Sequence, residues 1–259
     1  MARQDLEIRF LGAHNCETAS SRCAAILVDG TLALDCGGLT SGLTFEEQGR
    51  IKTVLLTHHH YDHIRDLPLL AMNLFLQEKS ADVYATSDVL RAVASHLMDG
   101  ELYPDFTGRP ESAPTIRFNE IKPDTEAKIG DYRVMPVAVN HAIPATGYYL
   151  KAAYGRSLFY TGDTGPGLEA CWPKIAPQLL IIELTAPERF TGTVPGHLTP
   201  TQLKQELVAF RRLKGYIPRV VTVHMNLLYE KEIAREASAI SHEIGANIVL
   251  AKEGMRLRL

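Results

Sequence analysis

Disulfide staples, membrane spans and a basic face are all missing from this 259-residue chain. Its four cysteines, Cys16, Cys23, Cys36 and Cys171, include no CxxC pair. A chain of this length buries enough apolar surface to stand without cross-links. Reduced thiols and a cytoplasmic setting are the expectation. No apolar run approaches the roughly 20 residues of a membrane helix. The charged start MARQDLEIRFLG lacks the extended apolar segment of a secretory leader. A net charge of −3 argues against the broad cationic footprint of a nucleic-acid-binding surface. The local basic stretch RRLKGYIPR, at 211–219, reads as a solvated helix end whose cations complement the helix dipole. Heptads, short repeats and low-complexity linkers are also missing, so one domain over 1–259 is expected.

What is present is a recurrence of short β-type runs: 6–12, 23–30, 31–35, 52–57, 82–86, 133–139, 147–153, 157–163, 179–184, 219–223 and 246–251. Helical patterns lie near 63–79, 87–98, 199–214 and 229–243. Strands come in groups ahead of each helix pair, which suggests two packed sheets with helices outside. ELYPDFTGRPESAP, at 101–114, reads as a long loop and a candidate lid.

The densest chemistry is in TVLLTHHHYDHIRDLPLL, at 53–70, where six positions hold four histidines and an aspartate. An apolar strand ending at Leu56 would deliver them to a loop, with a helix beginning near His63. Alternation along an extended chain puts His58 and His60 on one side and His59 on the other. Asp62 and His63 follow at the turn into the helix and can face the same centre. One segment then offers two imidazoles to one metal and a carboxylate with an imidazole to a second. His141, Asp163 and His224 each follow a further β-type run, the same structural context.

HHHYDH at 58–63 resembles the HxHxDH signature of the metallo-β-lactamase superfamily, and His141, Asp163 in TGDTG and His224 fall where that family's later ligands fall. The resemblance implies an αββα four-layer sandwich with a dinuclear site at one edge. It implies His58, His60 and His141 on one metal, Asp62, His63 and His224 on the other, and Asp163 bridging. No cysteine takes the place it usually has in true β-lactamases. The all N/O donor set favours two Zn²⁺ ions and tolerates Mn²⁺ or Fe²⁺.

GHLTPTQLKQEL at 196–207 carries a second signal. Thr199 suits an N-cap, Pro200 the first helical position, and Gln202 the return bond of a capping box. His197 then precedes a helix amino terminus, a favourable place for phosphate. With Glu183 of LLIIEL it resembles the Glu…His-x-Thr pair of the phosphodiesterase branch. YPDF, NHAIPATGY, GDTGPG and GHLTP are most similar to class II cyclic-nucleotide phosphodiesterases, and more distantly to ribonuclease Z. The interval from His141 to Asp163 is too short for the tRNA-grasping arm usual in ribonuclease Z.

The implied activity is hydrolysis of a small phosphodiester, foremost a 3′,5′-cyclic nucleotide, by a hydroxide bridging the metals. Asp62 counts among the catalytic groups as well as the ligands, and His197, oriented by Glu183, would serve the leaving oxygen or the phosphate charge. Asp35 in LALDCGG is the expected support behind the ligands; Ser20, Ser21 and Arg22 are candidates for the entrance. The expected partner is a small phosphodiester, with a homodimer left open and neither large nucleic acid nor membrane. Three rival readings stand: a lactone, thioester or amide hydrolase of the same fold, a di-iron redox or sensing protein, and an inactive binding module.

Overall fold

The computed structural model describes residues 5–259; Met1 to Gln4, the first four positions of the charged start, lie outside the described residues. In chain order the first half contains β1 (Glu7–Gly12), β2 (Ala25–Val28), β3 (Leu32–Leu34), α1 (Phe45–Gln48), β4 (Thr53–Leu55), α2 (Tyr61–Ile64), α3 (Leu67–Leu76), β5 (Ala81–Ala85), α4 (Ser87–His96) and β6 (Ile116–Glu120). The second contains β7 (Ala127–Ile129), β8 (Tyr132–Val139), β9 (Ala145–Ala152), β10 (Ser157–Tyr160), β11 (Leu179–Glu183), α5 (Pro200–Lys214), β12 (Arg219–Val223), α6 (Glu230–Ile244), β13 (Ile248–Leu250) and β14 (Arg256–Arg258).

The strands form two seven-stranded sheets, ordered β14-β1-β2-β3-β4-β5-β6 and β13-β12-β11-β10-β9-β8-β7. Each sheet is antiparallel at one side and parallel at the other. In the first sheet β3 through β6 run parallel; in the second, β10 through β13 do. Alternation explains the layering. On β2, Ile26 and Val28 join a core shared with Val134, Leu150, Leu158 and Leu180 of the other sheet. Ala25 and Leu27 join a second core with Leu67, Leu70 and Leu74 of α3 and Val89 and Val93 of α4. Leu203, Leu207 and Phe210 of α5 and Ile233 and Ala237 of α6 cover the other flank. Strands buried on both faces read as unbroken apolar runs, as AILV and LLII do here. Helix, sheet, sheet, helix is the expected αββα sandwich.

Element for element, the eleven β-type runs all contain strands. β6, β7 and β14 were not expected. The helix expected near 63–79 is split into α2 and α3, with Asp66 between them accepting from Thr40 N and Thr40 Oγ1. α2 also starts earlier, at Tyr61. Gln202 Oε1 accepts from Thr199 N at 2.9 Å, the return bond expected at the start of α5. Arg211, Arg212 and Lys214 occupy the last turn of α5, whereas Arg219 opens β12. Loop 101–114 carries no helix or strand, but it is anchored and not a free lid. Phe106 is buried, with its ring 5.5 Å from that of Phe75 on α3, and Pro110 and Ala113 face Phe75 and Leu76 across a 620 Å³ cavity. All four cysteines are unpaired. Among the described residues no helix is long and apolar enough to cross a membrane.

Candidate metal centre

Strand ends place the site. Asp35 follows β3, His58 follows β4, His141 follows β8, Asp163 follows β10, Glu183 ends β11 and His224 follows β12. These strands all point the same way in their sheets, so their carboxyl ends form one rim, the usual ligand-binding edge of such sheets. Asp35 and His224 both adopt left-handed backbone, with φ of 58° and 62°. Each such turn costs a non-glycine residue roughly 1–2 kcal/mol, and it re-aims the side chain from the sheet toward the rim.

The seven expected ligands come together. His58, His60, His141 and Asp163 each offer a donor atom within 4.8 Å of the others, and so do Asp62, His63 and His224. Asp163 joins the two groups. Its Oδ1 stands 3.1 Å from His63 Nε2, and its Oδ2 stands 3.3 Å from His224 Nε2, 3.7 Å from His58 Nε2 and 3.9 Å from His141 Nε2. His60 presents Nδ1, 3.1 Å from His141 Nε2. His59 turns away, lining a separate groove with Arg91, His96, Ile143 and Pro144.

Three of the inward nitrogens, on His58, His63 and His141, are selected by what holds the other side of the ring. His63 Nδ1 bonds Asp35 Oδ2 at 2.7 Å. His141 Nδ1 bonds Gly196 O at 2.8 Å. Gly196 has φ of 78°, and a Cβ there would come within 2.9 Å of that same Nδ1, so only glycine lets the carbonyl approach. His58 Nδ1 lies 3.0 Å from Thr57 Oγ1. Asp35, fully buried as expected of a supporting residue, also accepts from Thr57 N and Oγ1 and from Tyr160 Oη. Gly162 makes room here, because a Cβ would fall 2.7 Å from the Thr57 side chain.

Whether cations fit this cluster is decided by its polar atoms. His58 Nε2, His63 Nε2 and Asp163 Oδ1 are buried, and none finds a partner in hydrogen-bonding geometry, although two of them stand 3.1 Å apart. Buried polar atoms normally find partners; three converging orphans are a donor set without its acceptor. Protonation agrees. Burial, reinforced by the neighbouring His63, holds His58 well below the usual imidazole value. Burial opposes the charge on Asp163, yet His224 and His63 hold its carboxyl well below the usual range. Neutral imidazole and ionised carboxylate are the forms that bind metal. The residues fit divalent cations.

A second arrangement adjoins the first. His197 Nδ1 bonds Glu183 Oε1 at 2.7 Å, and its ring stacks on His224 at 5.3 Å with an interplanar angle of 11°. Glu183, wholly buried, also accepts from Thr164 N, Leu198 N and Thr185 Oγ1. Burial works against a charged His197, but the bond to Glu183 raises its pKa above the ordinary value. Ser20 and Ser21 belong to a turn closed on Thr18. Arg22 directs its guanidinium to Leu11 O and its amide to Glu253 Oε1. Thr57, Thr185 and Gly196 escaped sequence reasoning, although Thr57 and Gly196 adjoin His58 and His197 and Thr185 lies two residues after Glu183.

A profile described as Beta-lactamase superfamily domain matches residues 38–225, most of the chain. The chain belongs to this superfamily. Within it, a ribonuclease Z of Methanopyrus kandleri is 29% identical over 297 aligned positions, covering 99% of both chains. A ribonuclease Z of Thermococcus onnurineus is 31% identical over 112 residues, a match covering 42% of this chain and only 33% of that relative. Unliganded yeast PDE1 superposes with a TM-score of 0.85 at 18% identity, covering 99% of this chain and 100% of that one. The short form of human tRNase Z gives 0.69 at 21%, covering 97% and 98%. At such identities the two structures establish the metallo-β-lactamase fold and nothing finer.

Proposed function

We propose that the chain is a dinuclear-metal-dependent phosphodiesterase acting on a small phosphodiester, foremost a 3′,5′-cyclic nucleotide. The observation that carries this reading is the Glu183–His197 pair set against a cluster of five histidines and two aspartates. His58, His60 and His141 would hold one cation and Asp62, His63 and His224 the other, with Asp163 shared. Zinc suits the all N/O donors, and manganese or iron would also be accepted. Cations bound there would supply Lewis acidity toward a phosphoryl oxygen and toward water near neutral pH.

The chain's own groups do the rest. Glu183 fixes His197 by its Nδ1, which leaves Nε2 as the nitrogen available to a substrate. A protonated His197 can pass that proton to the departing ribose oxygen or stabilise charge on the phosphate. Asp62 Oδ2 stands 3.2 Å from His224 Nε2, close enough to share a cation with it.

A ribonuclease Z-like activity is the second reading, favoured by the full-length likeness to the Methanopyrus kandleri protein. Against it, β9 and β10 fill the interval between His141 and Asp163, with no inserted arm among the described residues. Net charge is also negative. A panel of 3′,5′-cyclic AMP, bis-p-nitrophenyl phosphate, a tRNA precursor and a chromogenic lactone tests both. Cleavage of the cyclic nucleotide, with little on the precursor, is expected; turnover confined to precursor or lactone would overturn the proposal.

A further inference from the structure

We infer that Thr185 is a positioning residue: its hydroxyl relays the charge of Glu183 to Nδ1 of His224 and so holds that ring's proton on Nδ1, leaving Nε2 bare toward the metal pocket. The inference rests on the reading of the cluster as a metal centre.

Thr185 Oγ1 lies 2.6 Å from Glu183 Oε2, 2.8 Å from His224 Nδ1, 3.1 Å from His224 O and 3.4 Å from His197 Nδ1. A hydroxyl has one proton and two lone pairs. Ionised carboxylate and carbonyl oxygens only accept, and the short charge-assisted contact to Glu183 outcompetes the longer one to the carbonyl. The hydroxyl proton therefore goes to Glu183. What remains at Oγ1 is acceptor capacity, and the nitrogen at 2.8 Å must meet it as N–H. In the neutral His224 ring this leaves Nε2 bare, the form a metal requires.

The relay has something to overcome. His224 Nε2 stands 3.2 Å from Asp62 Oδ2 and 3.3 Å from Asp163 Oδ2. Two carboxylates at that range favour a proton on Nε2, the tautomer that cannot ligate. Thr185 is the group that opposes them.

The same device occurs in the other sheet. Thr57 Oγ1 lies 2.9 Å from Asp35 Oδ2 and 3.0 Å from His58 Nδ1. Two buried acids, Asp35 and Glu183, thus each reach one imidazole directly, His63 or His197, and a second through a threonine hydroxyl, His58 or His224. Repetition at both sheet ends marks the hydroxyls as working parts. On the Glu183 side one acid serves both the metal pocket and the ring proposed to carry the proton. Thr185 is the branch that leads to the metal.

The test compares Thr185→Val, which keeps the shape and removes the hydroxyl, with Thr185→Ser, which restores it. Zinc affinity is read by chelator competition, and the His224 tautomer by ¹⁵N NMR of the metal-free protein. Thr185→Val should weaken one zinc site by about 10–100-fold and move the His224 proton to Nε2, with circular dichroism unchanged. Thr185→Ser should recover both readouts. Wild-type zinc affinity in Thr185→Val, with Nε2 still bare, would overturn the role of Thr185 alone. Failure of the wild-type protein to bind zinc at all would overturn the metal-centre reading beneath it.

Discussion

Asp35 Oδ2 stands 2.7 Å from His63 Nδ1, and neither side chain has any exposed surface. The pair joins the carboxyl end of β3 to the histidine loop and aims His63 Nε2 at Asp163. Asp35→Ala strands His63, Thr57 and Tyr160 together, because all three donate to this one carboxylate. The expected cost is about 3–5 kcal/mol of stability and a roughly 10–100-fold loss of zinc affinity, read by urea unfolding and chelator competition. Normal values for both would show that Asp35 only shapes a turn.

His197 should separate chemistry from metal binding. His197→Ala is expected to lower turnover by about 10²–10⁴-fold while metal content stays near that of the wild type. Equal loss of both would make the residue structural.

The pH profile carries a sign. If the protonated ring is the working form, activity falls as pH rises through the His197 pKa, which the bond to Glu183 raises. Glu183→Gln withdraws that support, so the falling limb should move to lower pH. A limb that stays in place would detach Glu183 from the proton.

Another buried histidine, His14, pairs with an acid away from the ligand cluster. Glu253 Oε1 holds His14 Nδ1 at 2.7 Å and also accepts from Ala13 N and Arg22 N. Burial opposes charge on His14, but Glu253 raises its pKa; burial likewise opposes charge on Glu253, but His14 lowers its pKa. A raised histidine stabilises fully below its unfolded value and loses that contribution as pH climbs through the folded one. The lowered acid stabilises above its unfolded value and loses that contribution as pH falls through the folded one. Stabilisation by the pair is therefore greatest at mildly acidic pH. His14→Ala should cost about 1–3 kcal/mol at pH 6 and clearly less at pH 9, measured by urea unfolding. A cost independent of pH would leave packing as its whole effect.

The ligands were legible because they sit where local rules hold: His58 and His60 alternate after an apolar strand, Asp62 and His63 open the next helix, and His141, Asp163 and His224 each follow a further apolar strand. β6, β7 and β14 were harder to read. Arg117, Glu120, Lys128, Arg256 and Arg258 interrupt them with exposed charge, and β14 exists only by pairing with β1, almost the whole chain away. The break at Asp66 was hidden because the carboxylate that ends the helical path answers to Thr40, 26 residues earlier. Thr57 and Thr185 share that opacity. Threonines are common at strand ends, and only the fold brings Asp35 to the hydroxyl of Thr57 and His224 to that of Thr185.

Metal analysis of protein purified without a histidine tag bears on the central claim most directly. Wild-type chain, stripped and reloaded with zinc, should retain about two ions per chain, and Asp163→Ala, which removes the carboxylate shared by both groups, should hold fewer while keeping its circular dichroism. Wild-type protein that retains none, or an Asp163→Ala variant that retains as much as the wild type and cleaves phosphodiesters at the same rate, would contradict it.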